Sequence, residues 1–175
     1  MANTTVICWN VRGLNATARR DNVRTLTADV RAHIVCLVET KLSTVNHWLI
    51  ASMLGNNYRD FAYVPAASTR GGILIVARFP EVELKEPTIG CYSCTVKVIP
   101  AVGDPWWLSV VYGPQEDGDK SLFLEELEAV RDHCPGPWAI TGDFNLILDE
   151  EDKNNAHQPP HDAGLQAHGG KPAAT

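Results

Sequence analysis

Five polar residues stand where apolar runs end. Asn10 follows Val6–Trp9, Glu39 follows Ile34–Val38, Tyr112 follows Leu108–Val111, and Asp143 and Asn145 follow Trp138–Thr141. A strand that ends in a carboxylate or carboxamide delivers that group to the rim of its sheet, and parallel strands bring such rims together. Oxygen donors of this kind suit a hard cation; Mg²⁺ typically takes one or two carboxylates and keeps several waters. On that reading Glu39 is a direct ligand and Asn10 supports it. Asp143 orients or deprotonates an attacking water, Asn145 holds that water or a phosphate oxygen, and Tyr112 donates to a phosphate oxygen. The cation, Mg²⁺ or Mn²⁺ in its place, would neutralise charge developing on phosphorus and on the leaving oxygen. Taken singly, each residue also has a plainer use. Glu39 could be solvated at a strand end, Tyr112 could pack beside the Gly113-Pro114 turn, and the Asn and Asp side chains could satisfy turn backbone. The joint reading rests on their recurrence at the ends of the strongest apolar strands.

Those strands need positioning elements, and the sequence supplies them in alternation. Val6–Trp9 reads as a buried strand, Val11–Asn15 as a turn, and Thr17–Ala32 as a helix. Val23, Leu26 and Val30 share a face of that helix, and Asn15 or Thr17 can cap it. Ile34–Val38 is apolar throughout and predicts a strand covered on both faces. Val45–Leu54 suits a short helix ended by Gly55. Strands follow near Asp60–Val64, Gly72–Ala77, Val82–Glu86, Tyr92–Ile99 and Trp106–Tyr112, punctuated by Gly, Pro and Asp. A helix from Ser121 to His133 places Phe123, Leu127 and Val130 on one face, and Trp138–Thr141 is the last clear strand. This order predicts an α/β sandwich of two packed sheets with helices outside. After Asn155 periodicity stops, and residues 156–175 are expected to be a disordered tail beyond a domain spanning 1–155.

Composition narrows the classes. The 175 residues suit one domain, and 45% hydrophobic content suits a core. No apolar run reaches the ~18–20 residues that span a bilayer, and no secretory signal is legible at the start, so an intracellular protein without membrane contact is expected. The net charge of −6 argues against a broad basic surface. The charge is uneven, however. Arg12, Arg19, Arg20, Arg24 and Arg31 form a basic stretch, which reads equally as an approach for a phosphodiester or as the wet face of a helix. The five cysteines show no disulfide framework, and Cys91-Tyr92-Ser93-Cys94 has no second pair to complete a zinc site. Cys8 and Cys36 read as buried small hydrophobes. Asp149–Asn154 lacks the glycine of a calcium loop, Arg70-Gly71-Gly72 leads into a strand rather than a helix, and no nucleophile elbow occurs.

Trp9-Asn10-Val11-Arg12-Gly13-Leu14-Asn15, Val38-Glu39-Thr40-Lys41, Gly71-Gly72-Ile73, Val111-Tyr112-Gly113-Pro114 and Gly142-Asp143-Phe144-Asn145 stand in the order found in endonuclease/exonuclease/phosphatase domains. With Ile147–Asn155, the set most closely resembles the endonuclease domain of plant non-LTR (LINE-type) retrotransposon reverse transcriptases. The resemblance runs from Thr4 to about Asn155. It implies a four-layer α/β sandwich, with Asn10 and Glu39 as the metal-site pair. Tyr112 matches the active-site tyrosine, and Asp143 with Asn145 the pair that handles nucleophile and phosphate. It also implies Mg²⁺-dependent nicking of DNA, and a nuclear location if the protein works as a retrotransposon endonuclease.

Relatives of this kind continue with further strands, another metal-site acid and a Ser-Asp-His motif. None is legible after Asn155, so a fold lacking its last strands and a weakened or lost activity are expected. A non-catalytic relic or binding module of the same fold, and a phosphatase acting on a small or lipid phosphate, are the alternative readings.

Overall fold

The computed structural model describes residues 4–67 and 71–146. Eight strands form two four-stranded sheets. The first holds β1 (Val6–Asn10), β2 (Ile34–Val38), β4 (Ile73–Arg78) and β3 (Tyr58–Val64), adjacent in that order. The second runs β5 (Val82–Ile89), β6 (Ser93–Pro100), β7 (Trp106–Tyr112) and β8 (Trp138–Asp143). Most neighbours are antiparallel, but β1–β2 and β7–β8 are parallel. Each sheet therefore ends in a parallel pair whose C-terminal ends point the same way, and those ends carry the polar residues picked out above.

Alternation along β2 shows how the layers are held. Ile34, Cys36 and Val38 enter a core shared with Ile73, Ile75, Val96, Val98, Leu108 and Val110 from both sheets. Val35 and Leu37 point the other way, beneath α1 (Thr17–Val30) and α2 (His47–Leu54), with Val23, Ile50 and Met53. β2 is thus buried along its whole length, as its unbroken apolar run predicts. On the far side α3 (Lys120–His133) covers the second sheet through Val130 and Cys134 against Trp107 and Trp138. The result is helix, sheet, sheet, helix: the expected four layers. The expected lack of last strands and the expected disordered tail both concern residues outside the described ones.

Four details differ from the sequence reading. Helix α1 buries Val23 and Thr27, while Leu26 and Val30 stay 38% and 44% exposed. Thr27 joins the core because its hydroxyl donates to the Val23 carbonyl at 2.6 Å, which removes the cost of hiding it. The helix stops at Val30 because Arg31 turns left-handed at φ 53°, and its N-cap is Ala16, which makes no side-chain cap bond. Cys8 is exposed, not buried, because β1 is an edge strand and the gap between the sheets opens beside it. Asp143 closes β8 in register with Tyr112 rather than sitting in a turn after it.

Thiol chemistry should follow this layout. Cys91 is exposed while Cys94 is buried, so the CxxC pair shares no site. Burial pushes the Cys94 thiol up to about 12 and raises Cys36 well above the ordinary range. A raised pKa leaves less thiolate at neutral pH, and the thiolate is the reactive form. Pulsed alkylation of the native protein read by mass spectrometry should label Cys91 on the order of 10²-fold faster than Cys36 or Cys94. Comparable labelling of all three would contradict this packing.

Candidate active site

The rim where β1, β2, β7 and β8 end is built first by backbone. Beyond β1 and β2 the chain keeps pairing: Val11 N–H donates to the Val38 carbonyl at 3.0 Å, Gly13 to Glu39 at 2.7 Å and Leu14 to Thr40 at 2.8 Å. From the other side Thr40 N–H reaches the Gly72 carbonyl and Lys41 N–H the Gly71 carbonyl, the latter at 2.7 Å. Glu39 is therefore clamped between two loops. Its φ is 57°, and Arg12, Lys41 and Asn145 are also left-handed at 49°, 56° and 49°. Non-glycine residues in that region are strained, and such strain concentrates where surrounding structure fixes a functional geometry. Two arginines of α1 help: Arg19 Nη1 donates to the Val11 carbonyl at 2.6 Å and the Arg12 carbonyl at 2.8 Å, and Arg20 Nη2 reaches the Asn15 carbonyl at 3.4 Å. Those two side chains brace the β1–α1 loop.

The side chains then meet across the two sheets. Asn10 Nδ2 donates to Asp143 Oδ2 at 2.9 Å, joining residues 133 positions apart. Asn10 Oδ1 accepts from Arg12 N–H at 3.2 Å, which holds the carboxamide with its amine toward Asp143. The second Asp143 oxygen accepts from Asn145 N–H at 3.2 Å, and Asn145 Nδ2 donates to the Gly113 carbonyl at 2.7 Å. Asp143 is thus fixed at both oxygens, and Asn145 ties the end of β8 to the turn after β7. A groove of about 510 Å³ runs beside them, lined by Cys8, Asn10, Val38 and Thr141–Leu146.

Tyr112 completes the rim. Its phenol lies beside Glu39 and Gln115, and its pKa is raised first by burial, then by the negative charges of Glu39 and Asp143. A raised value keeps the hydroxyl protonated, as a donor, through neutral pH. Glu39→Gln removes one of those charges, so the Tyr112 pKa should fall toward 10. Ultraviolet titration of the variant against the wild type reads the shift, and an upward or absent shift would contradict the placement of Glu39 beside the phenol.

All five sequence-selected residues therefore share one rim. Three contributors were not assigned roles from sequence. Lys41 Nζ stands 3.7 Å from Glu39 Oε1. Gln115 lies beside the Tyr112 phenol. Gly71 lies where a Cβ would meet Tyr112 Cε1 at 2.7 Å and the Cα and Cγ of Glu39 at 3.0 Å. Only a residue without a side chain lets Glu39 and Tyr112 approach each other there. Lys41 and Gly71 belong to motifs quoted above, which was the available signal.

The donor set suits a hard cation. Glu39 is partly exposed at the rim, and Asn10 Oδ1 retains a lone pair beyond its bond to Arg12. Among the described residues, no three His, Cys, Asp or Glu side chains gather into a closed cage. One carboxylate, one carboxamide and water is the kind of open set Mg²⁺ accepts. The described histidines bond elsewhere: His33 Nδ1 accepts from Thr5 N–H, His47 packs against Phe61, and His133 bonds the Ala129 carbonyl.

The family model for the endonuclease/exonuclease/phosphatase family matches residues 7–173. The chain belongs to that family. No curated protein matches it closely enough to count as a relative. Solved structures show the same fold. A humanized D. rerio TDP2 carrying 14 mutations is 20% identical with a TM-score of 0.63, covering 88% of this chain and 67% of that one. The Xenopus laevis APE2 catalytic domain is 17% identical with a TM-score of 0.54, covering 81% and 58%. The endonuclease domain of TRAS1, a telomere-specific non-LTR retrotransposon, is 15% identical with a TM-score of 0.56, covering 82% and 61%. The chain spans only about three-fifths to two-thirds of those lengths. Members of the family are hydrolases, mostly nucleases and phosphatases. Among the described residues no helix is long and apolar enough to cross a membrane.

Proposed function

We propose that this chain carries a Mg²⁺-dependent phosphodiesterase site that nicks DNA. The observation that supports it most is the meeting of Asn10, Glu39, Tyr112, Asp143 and Asn145 on one rim, centred on the Asn10–Asp143 bond that joins the two sheets. Glu39 and Asn10 would hold the cation, which when bound supplies electrostatic stabilisation of charge developing on the phosphate oxygens. Asp143, fixed by Asn10 and by Asn145 N–H, accepts the proton of the attacking water. Tyr112 donates to a non-bridging phosphate oxygen with the proton that its raised pKa retains. Lys41, close to Glu39, adds positive charge at the same rim.

Among the described residues, Tyr112, Asn145 and Lys41 stand where they can stabilise the transition state together with the cation. The narrower kinship with non-LTR retrotransposon endonucleases is part of the proposal, supported by the ordered motifs and by the fold shared with the TRAS1 domain. Supercoiled plasmid incubated with the protein should relax to the open circle in Mg²⁺ and stay supercoiled in EDTA. Nicking that persists in EDTA, or none with Mg²⁺ or Mn²⁺ over long incubation, would overturn the reading.

A further inference from the structure

A second cavity, of about 340 Å³, adjoins the rim on the other side of Tyr112. Its walls are Cys91 and Tyr92 from the β5–β6 turn, and Gly113 to Glu116 with Asp119 from the segment after β7. Tyr112 lines it as well, so one phenol faces both the carboxylates of the rim and this space. A polymer whose phosphodiester lay at Asp143 and Glu39 would place its next unit against these walls.

The walls also state what that unit is. They carry two aromatic side chains, two carboxylates and a carboxamide, and no lysine or arginine. The nearby Lys120 is paired with Asp117 at 2.6 Å. Such a lining repels a second phosphate and favours a flat, uncharged ring that bears N–H donors. The turn that presents Tyr92 is also built to stay in place. The Glu126 carboxylate of α3 accepts from Cys91 N–H at 2.9 Å, Tyr92 N–H at 3.1 Å and Ser93 Oγ at 2.6 Å. The Tyr92 ring packs edge-on against Phe123 at a centroid distance of 5.7 Å, and its hydroxyl lies beside Asp119. An aromatic held this firmly loses little freedom when a ring stacks on it.

We propose that this cavity is a nucleobase subsite, in which Tyr92 and Tyr112 cover the ring of a base neighbouring the scissile phosphate while Asp119, Glu116 and Gln115 accept from its exocyclic amine. The proposal rests on the nuclease reading and sharpens it: a strand of nucleic acid fits both spaces, whereas a small polyphosphate would bring anions to the acidic wall. Cytosine and adenine carry the amine donor, and thymine lacks it.

Binding tests this without requiring turnover. Fluorescein-labelled single-stranded oligonucleotides of equal length, all-cytosine, all-thymine or abasic throughout, are titrated by anisotropy in Ca²⁺, a hard cation offered in place of Mg²⁺. The wild type should bind the cytosine strand about 10-fold tighter than the abasic one, the scale of stacking on aromatic side chains. Tyr92→Ala should cut that ratio to about 2 or less, and Tyr92→Phe should keep most of it. Asp119→Ala, at an exposed position with no side-chain cap bond to lose, removes an acceptor oxygen and should weaken the preference for cytosine over thymine. Equal binding of cytosine and abasic strands, no binding of either, or a preference for cytosine over thymine that is unchanged in Asp119→Ala would overturn the subsite. Plasmid nicking without base discrimination would sink this inference and leave the nuclease reading standing. Base discrimination without nicking would do the reverse.

Discussion

Asp143→Ala should lower Mg²⁺-dependent plasmid nicking by on the order of 10³-fold while costing about 1 kcal/mol of stability or less. The rate loss is expected because Asp143 is held at both oxygens on the rim, by Asn10 Nδ2 and Asn145 N–H. A general base contributes roughly 10²–10⁴-fold when it is positioned in this way. The stability loss is small because Asp143 is only half-buried beside an open groove, so water can replace the lost acceptor for both donors. Denaturant unfolding and nicking measured on the same preparation separate the two effects. A large fall in stability with an equal fall in rate would mean that Asp143 is a structural residue only.

The largest expected effect on folding comes from Gly142→Ala. Gly142 lies inside β8 at φ 136°, opposite Val111 of β7. A Cβ there would overlap the backbone oxygen of Val111 and lie 2.8 Å from its nitrogen. Neither is a side-chain tip that can swing aside, so the β7–β8 pairing must part. The backbone strain of a left-handed alanine adds about 1–2 kcal/mol to the broken pairing, and a total of roughly 3 kcal/mol or more is expected. Activity should vanish even in the folded fraction, because the next register pair is Tyr112 with Asp143. Gly118→Ala supplies the comparison. Nothing lies within 4 Å of its Cβ position, and stability should change by about 0.5 kcal/mol or less. Similar unfolding midpoints for the two variants would contradict the close approach of β7 and β8.

Much of this site was legible in the chain because apolar runs are a strong signal and their ends are sharp. Val6–Trp9, Ile34–Val38 and Trp138–Thr141 became β1, β2 and β8 within two residues at each end, and Asn10, Glu39 and Asp143 followed as strand ends. What sequence could not show was anything set by through-space neighbours. The Asn10–Asp143 bond spans 133 positions, and no local pattern encodes it. The need for Gly71 comes from Tyr112 and Glu39 closing on it. Spacing alone offered Leu26 and Val30 as the core face of α1, but the sheet beneath it selected Val23 and Thr27. Cys8 looked like a core residue because β1 is apolar, and its exposure follows from β1 lying at the sheet edge. The subsite beside Tyr92 joins two segments that had shown no shared motif.

The proposed metal site requires Glu39 and Asn10 to present oxygen donors to a divalent cation at the rim that Asp143 and Tyr112 complete. Thermal unfolding with and without Mg²⁺ tests that most directly, since a ligand that binds only the folded state raises Tm by mass action. At a Mg²⁺ concentration about 100-fold above its dissociation constant the stabilisation is roughly 2.7 kcal/mol. The wild type should therefore melt several degrees higher in Mg²⁺ than in EDTA, and Glu39→Gln should melt at the same temperature in both. A rise of equal size in Glu39→Gln, or none in the wild type, would contradict the metal site.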